Sequence, residues 1–445
     1  MPEKRRVIIR SGEKPVEEKK KFLFGKELTR KMGLSPAVQE YRQRAWDAYE
    51  RLEFPDQNSE SWRRSSLRDL HPATYKSISV PVGKDTNCLP PVKNLDGSLG
   101  RMEISENGTV LVVQEGFQES GVEFSKLAEV ERLQSHALDE ILGKIVDPAE
   151  NIFTAMAGSF AQYGAFVRVP GGLTLDQPLV IQMTVEGQGK AFFSHHMIRI
   201  GQGSQAVVIL ENLGNAGHGG DCLHSGIIEI ILEEGAKLTF VELQSLNMET
   251  WNFGFTKVRL DKGANLDWVI GTTGGKFSKV FSQMELSGEG SVGKASGFYF
   301  ADRSQLIDHE TLQDHLAPNT TSDLLFKGAL KDESRSVWRG MIHVAPEAKK
   351  TDGYQANRNL ILSDSARADS IPGLEILTDD VRCTHGATVG KIDQDQVFYL
   401  ESRGIPKAEA EKLVVEGFFE SVLARIPLIE IRERFKKFIL HKMNG

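Results

Sequence analysis

From Gly164 onward the chain repeats one pattern: short runs of β-branched and apolar residues broken by glycine-containing turns, with no helical period between them. GAFVRVPGG, QPLVIQMTV, QAVVILENL, GIIEIILEEGAKLTFVELQSL, TKVRLDKGANLDWVIG and FSQMELSGEGSVGKASGFYFAD succeed one another. Turns recur at Gly203-Ser204, Gly235-Ala236, Gly263-Ala264 and Gly290-Ser291, with related turns at Glu333-Ser334 and Ser365-Ala366. A period near about 30 residues is shorter than the roughly 40–50 of a propeller blade and suits the stacked coils of a parallel β-helix. A two-sheet sandwich is the competing architecture.

Helical period is confined to the ends. Ser35 precedes Pro36 as a cap, and Val38, Tyr41, Ala45, Ala48 and Tyr49 recur at helical spacing up to about Leu52. An irregular connector from His71 to Gly100 leads to a second helical block, from about Phe124 to Gln162. After Arg403-Gly404, Pro406 stands as an N1 proline, and Leu413, Val414, Phe418, Val422 and Ile426 form one stripe. Pro427 interrupts it, and Leu428, Ile431, Phe435 and Phe438 continue at helical spacing. The expected organisation is a mostly helical region 1–162, a β core 163–402 and a helical region 403–445. The tail either caps the β core or serves as a docking arm, with Leu413, Phe418, Val422, Ile426 and Phe435 as its candidate contacts.

Composition adds two points. The 42 glycines among 445 residues exceed the usual share of about 7%, and the turns account for them. The three cysteines, Cys88, Cys222 and Cys383, cannot build a disulfide framework and fit a reducing compartment. With 54 Lys and Arg against 61 Asp and Glu, the net charge is −7. The basic excess is confined to an N-terminal arm that includes Lys19, Lys20 and Lys21 and lacks interleaved aromatics, which argues against nucleic acid. No run approaches the ~18 apolar residues of a membrane helix and no apolar signal stretch opens the chain, so a cytoplasmic location without a membrane segment is expected.

Candidate chemistry is sparse. No GxxxxGK[ST] exists, so the chain carries no phosphate loop of its own. The glycine-rich Gly214 to Asp221 is followed by a strand-like run, which makes it a corner rather than an anion cradle. In DHETLQDH, His309 and His315 are six residues apart, too far for HExxH but on one side of a strand. Asp308, Glu310 and Asp314 could be ligands, or Asp308 and Asp314 the acid and base of a β-helix polysaccharide lyase or hydrolase, as an alternative to polar ladder residues on an open sheet. In VRCTHGAT, Cys383 and His385 project to one face of an extended segment and could approach one metal. Two ligands are too few for an iron–sulfur cluster, so any cluster would be shared across an interface; a buried Cys beside a hydrogen-bonded His is the plainer alternative.

HLAPNTTSDLLFKGALKDESRSVWRGMIHV, TDGYQANRNLILSD and CTHGATVG closely resemble the SufB and SufD family of iron–sulfur cluster assembly proteins. The likeness runs clearly from about Asp308 to the C-terminus, more loosely through the earlier strands, and weakly through ESWRRSSL near Trp62. Gly386 after the histidine, and NRNLILSD, are on the SufD side. The resemblance implies a right-handed parallel β-helix between helical ends, and a non-catalytic scaffold working with a SufB-like paralogue and the ABC-type ATPase SufC. It implies that the C-terminal helices dock SufC, that the end of the β-helix pairs with SufB, and that ATP-driven closure of two SufC subunits exposes that interface. By the same resemblance His385 matches a histidine at the SufB interface and Cys383 the cysteine two positions before it. The implied cargo is a transient iron–sulfur cluster or iron shared with SufB; a flavin in the complex is left open. A homodimer working with SufC alone is the alternative assembly.

Overall fold

Residues that alternate between an inward and an outward face can close a coil only if tight corners join the strands, and the glycine turns supply those corners. The computed structural model describes residues 21–29, 34–56, 58–78, 97–133, 135–214 and 220–444. The basic arm through Lys20, Cys88 and residues 215–219 of the glycine-rich loop lie outside the described residues. Two ten-stranded sheets face each other. Successive strands alternate between the sheets, so that each strand pairs in parallel with the next but one, from Ala165–Val169 to Val381–Lys391. This is a parallel β-solenoid of about eight turns flanked by helices, the architecture the repeat predicts.

The predicted corners stack in a column. Gly203, Gly235, Gly263 and Gly290 all take left-handed φ of 63–72°, and each N–H donates to a carbonyl of the next coil, those of Glu234, Lys262, Glu289 and Pro318. Asn319 and Lys350 continue the column with φ near 58° and bonds to Lys349 and Asp380. The residue after each corner points inward and is buried, in the order Ser204, Ala236, Ala264, Ser291, Thr320 and Thr351. The turns at Glu333-Ser334 and Ser365-Ala366 belong to a different column, which feeds the other sheet and places Arg303 and Asp332 at positive φ. They resemble the first set because both corners place a small residue directly before the strand.

The lumen is less apolar than a usual core. In-register strands stack like side chains, and Ser194, His224, Asn252 and Ser278 form a hydrogen-bonded chain across successive coils at 3.0, 2.7 and 2.8 Å. His196, His309 and His315 are buried inward as well. Below and above this strip the lumen is filled by residues such as Ile230, Val258, Leu260 and Trp268.

Helices cover both outer faces. On the first sheet lie α1 (Pro36–Arg51), α2 (Leu127–Leu133) and α3 (Ile152–Phe160). Ser35 caps α1 by accepting the Val38 N–H at 3.3 Å, and all five apolar positions read from the sequence are buried. The second helical block is shorter than its period suggested. Glu123–Lys126 is a strand, and after Leu133 a single 3-10 turn, Ser135–Leu138, and further turns lead to α3. The reason is local: Gly143 takes a left-handed φ and the buried Glu229 carboxylate accepts the N–H groups of Gly143, Ile145 and Val146, holding the segment out of helix. Phe153 of α3 stacks on Phe253 of the sheet at 3.6 Å.

The second sheet is covered by α4 (Gln394–Ser402), α5 (Lys407–Leu423) and α6 (Ile429–Asn444). The strands stop at Lys391, so 394–402 is helix rather than part of the ladder. Pro406 sits at the N-cap of α5, one position before the expected N1. No helix among the described residues is long and apolar enough to cross a membrane.

Candidate functional site

The two ends of the solenoid differ. At the start, Gly108–Val113 and Glu123–Lys126 pair antiparallel on the first coil and close both sheets. At the other end, Arg367–Ile376 and Val381–Lys391 each pair on one side only among the described residues. Their outer edges present unpaired backbone groups, and Ile376, Leu377 and Val389 are exposed apolar side chains beside them.

Cys383 and His385 lie on this last rung. The register sets Cys383 over Gly353 and His385 over Gln355, and both lower residues are buried inward positions. Both site residues therefore share one face, as their spacing predicts; that face is turned to the solenoid axis, and among the described residues no further coil stacks on them. A Cβ at Gly353 would lie 3.2 Å from Cys383 Sγ, so the missing side chain is what seats the sulfur. Burial pushes the Cys383 thiol up; a hydrogen bond with the Gly353 backbone opposes the shift and Asp352 adds to it. The free sulfur is a protonated thiol at neutral pH, and a bound metal would have to displace the proton. His385 is exposed.

The other sequence candidates do not join this site. Cys222 is buried about five coils away, or roughly 24 Å along the axis, and its thiol donates to the Gly187 carbonyl at 2.9 Å. Burial pushes it up to about 11. Among the described residues no group of three or more His, Cys, Asp and Glu side chains could hold a metal ion. His309 and His315 share one side of their strand as predicted, and that side is the lumen.

The polysaccharide reading fails on geometry. Asp308 and Asp314 lie six residues apart on one strand, about 20 Å, whereas glycoside-cleaving carboxylates stand within about 10 Å. Asp308 is not on an open sheet either: it is buried beneath Ser59–Leu67, where it pairs with Lys279 at 2.8 Å and accepts from Ser65. Asp314 is taken up by His343 at 2.6 Å.

The docking stripe divides. Val422, Ile426 and Phe435 are buried against Val241, Val269, Phe298 and Phe300 of the chain's own second sheet. They cap the core and are not a free surface, which corrects their assignment as docking contacts. Apolar spacing on α5 serves two faces, and Val415 and Phe419 share the buried one. Leu413, Val414 and Phe418 turn instead toward α4, where they line a groove with Tyr399, Leu400 and Asp395. Leu413 is 41% exposed, and Phe398 on α4 is 71% exposed. The sequence reading missed α4 because its apolar residues are few and adjacent. Cations fasten the hairpin of α5 and α6 to the sheet: Lys327 donates to the Phe418 carbonyl at 2.7 Å, Arg425 pairs with Asp267 and Arg434 with Glu211.

Known sequences agree with this arrangement. Residues 183–418 match the family model described as SUF system FeS cluster assembly, SufBD core domain, and residues 23–181 match the SufBD protein N-terminal region. An iron–sulfur cluster assembly SufBD family protein of Mycobacterium bovis is 34% identical over 313 residues, 68% of this chain and 77% of the relative. One of Mycobacterium leprae is 33% identical over 313 residues, 68% and 78% respectively. A SufBD family protein of Staphylococcus saprophyticus is 27% identical over 333 residues, 75% of this chain and 71% of its own. The solenoid between helical ends thus carries the family's core and N-terminal regions in order, and the chain belongs to the SufBD family of iron–sulfur cluster assembly proteins.

Proposed function

We propose that the chain is the SufD-type scaffold subunit of a complex with a SufB-like paralogue and a SufC-like ABC ATPase. In this reading Cys383 and His385 contribute to a shared surface on which clusters are assembled. The observation that carries it is the uncapped last coil, which leaves a thiol and an imidazole facing the axis between two free strand edges. A second solenoid pairing with such an edge through backbone hydrogen bonds would bring its own thiolates and carboxylates to a site two side chains cannot complete. Iron bound there would favour the Cys383 thiolate that burial otherwise disfavours. The chain has no phosphate loop, so ATP hydrolysis belongs to the partner.

The test is His385→Ala, coexpressed with SufB-like and SufC-like partners and purified without oxygen. Iron and sulfide per complex fall by about tenfold or more, as for loss of a metal-site residue, while recovery of the complex is unchanged. Unchanged iron and sulfide in an intact complex overturns the assignment.

ATPase docking is proposed for the groove between α4 and α5. Leu413→Asp combined with Tyr399→Asp, both lining the groove and exposed, is expected to abolish copurification of the ATPase while leaving the melting temperature within about 2 °C, because exposed side chains contribute little to stability. Phe435→Asp would instead bury a charge in the core and unfold the hairpin. Retained ATPase with the double variant places docking elsewhere.

A further inference from the structure

The motif TDGYQANRNLILSD forms the strand Thr351–Ile361, directly below the rung of Cys383 and His385. Its inward positions are Gln355, Asn357 and Asn359, where the coil beneath has Leu324, Phe326 and Gly328. Apolar side chains of similar volume in a lumen are usually as stable or more stable than a polar layer. The polar layer has direction instead. Gln355 Nε2 reaches across the lumen and donates to the Gly373 carbonyl at 2.9 Å and to the Gly340 carbonyl at 3.4 Å, so it ties the last two strands of the opposite sheet. Asn357 Oδ1 accepts from Ser370 Oγ at 2.5 Å and from Asn359 Nδ2 at 2.7 Å. Tyr299, two strands deeper, donates to Asn359 Oδ1 at 2.5 Å and accepts from Asn357 Nδ2 at 3.2 Å. Ser370 and Gly373 both belong to Arg367–Ile376, the terminal strand with one ladder neighbour.

We propose that Gln355, Asn357 and Asn359 are positioning residues, a polar floor that fixes the free edge strand Arg367–Ile376 relative to Thr351–Ile361, the strand on which Val381–Lys391 is laddered, and so sets the geometry in which Cys383 and His385 meet a partner. The functional part of this inference rests on the assembly reading above. The floor binds strand to strand across the lumen, which the backbone ladders alone cannot do, because each ladder runs within one sheet. A hydrogen-bonded network that is fully satisfied at Asn357 and Asn359 rigidifies its neighbours, and the lateral tie from Gln355 lies directly under His385.

The experiment is Gln355→Met, which keeps volume and removes the donor, with Ser370→Ala as a second variant that leaves the buried amides in place. Asn252→Leu, far down the lumen, is the control. Amide exchange in 367–376 and 381–391 is expected to quicken by about tenfold, with Cys383 alkylation rising in step and the global unfolding midpoint unchanged. Iron in the copurified complex is expected to fall by about tenfold. A structural role alone would lower the midpoint and quicken exchange everywhere, and that result, or unchanged exchange at the edge strands, overturns the proposal. If the edge strands loosen but iron is unaffected both here and in His385→Ala, the floor stands and the assembly reading fails. If His385→Ala loses iron while Gln355→Met and Ser370→Ala change neither exchange nor iron, the floor fails alone.

Discussion

Acidification from pH 7 to 5 is expected to unfold the chain cooperatively. Burial holds four lumen histidines neutral, lowering His196 and His309 to about 3 and His224 and His315 to about 4. The unfolded chain binds those protons near about pH 6.5, so the stability present above that pH is lost as the pH falls towards the folded values. At pH 5 each histidine accounts for roughly 2 kcal/mol, and the four together for up to about 8 kcal/mol, comparable with the whole stability of many domains. Glu242 acts in the opposite direction. Burial raises its carboxyl to about 7 against a hydrogen bond from Thr256, so its contribution is lost as pH rises and regained on acidification, offsetting roughly 2–3 kcal/mol. The net expectation is a transition between about pH 5 and 6, followed by tryptophan fluorescence and far-UV circular dichroism. His309→Phe, which keeps an aromatic ring between Tyr299 and Phe326, is expected to move the midpoint downward. A transition below about pH 4 that the variant does not shift would show that the lumen histidines titrate freely.

Lys279→Met is expected to cost about 3–5 kcal/mol, the penalty for stranding a buried countercharge. Lys279 is fully buried, 2.8 Å from Asp308 and 3.5 Å from Glu310, with its ammonium 5.0 Å from the Trp62 ring centre and 4.8 Å from that of Phe281. Trp62 and Ser65 belong to the N-terminal segment that lies over the sheet, so the lysine joins two parts of the chain more than 200 residues apart. Asp308→Asn in the same chain removes the stranded charge and is expected to recover more than half of the loss. Denaturant unfolding of the two single variants and the double variant forms the cycle. Additive losses, or a loss below about 1 kcal/mol for Lys279→Met, would mean that the pair is solvated and the segment is held by its aromatic contacts alone.

These two predictions concern groups whose titration and pairing no local pattern reveals. The strand repeat, the corner glycines, helix α1 and the even spacing of Cys383 and His385 were all legible, because each follows from chain-local geometry: a period of two in strands, a left-handed corner that glycine enters freely, a side-chain cap before an apolar helical stripe. The repeat also foretold where the turns fall. It did not separate the two corner columns, because both obey the same local rule.

What the chain by itself determined is therefore the coil, its corners, the family motifs and the pairing of a thiol with an imidazole on one face of a strand. The tertiary structure decided which face is inside. It turned His309 and His315 into the lumen, hid Asp308 beneath Ser59–Leu67, and closed Val422, Ile426 and Phe435 against the second sheet. It also placed Cys383 and His385 on the uncapped rung, over a polar floor of Gln355, Asn357 and Asn359. The physical reason is that alternation specifies two faces without naming them, and stacking order specifies an end without showing what covers it. Burial is a property of residues distant in sequence, and only the packed coils bring those residues together.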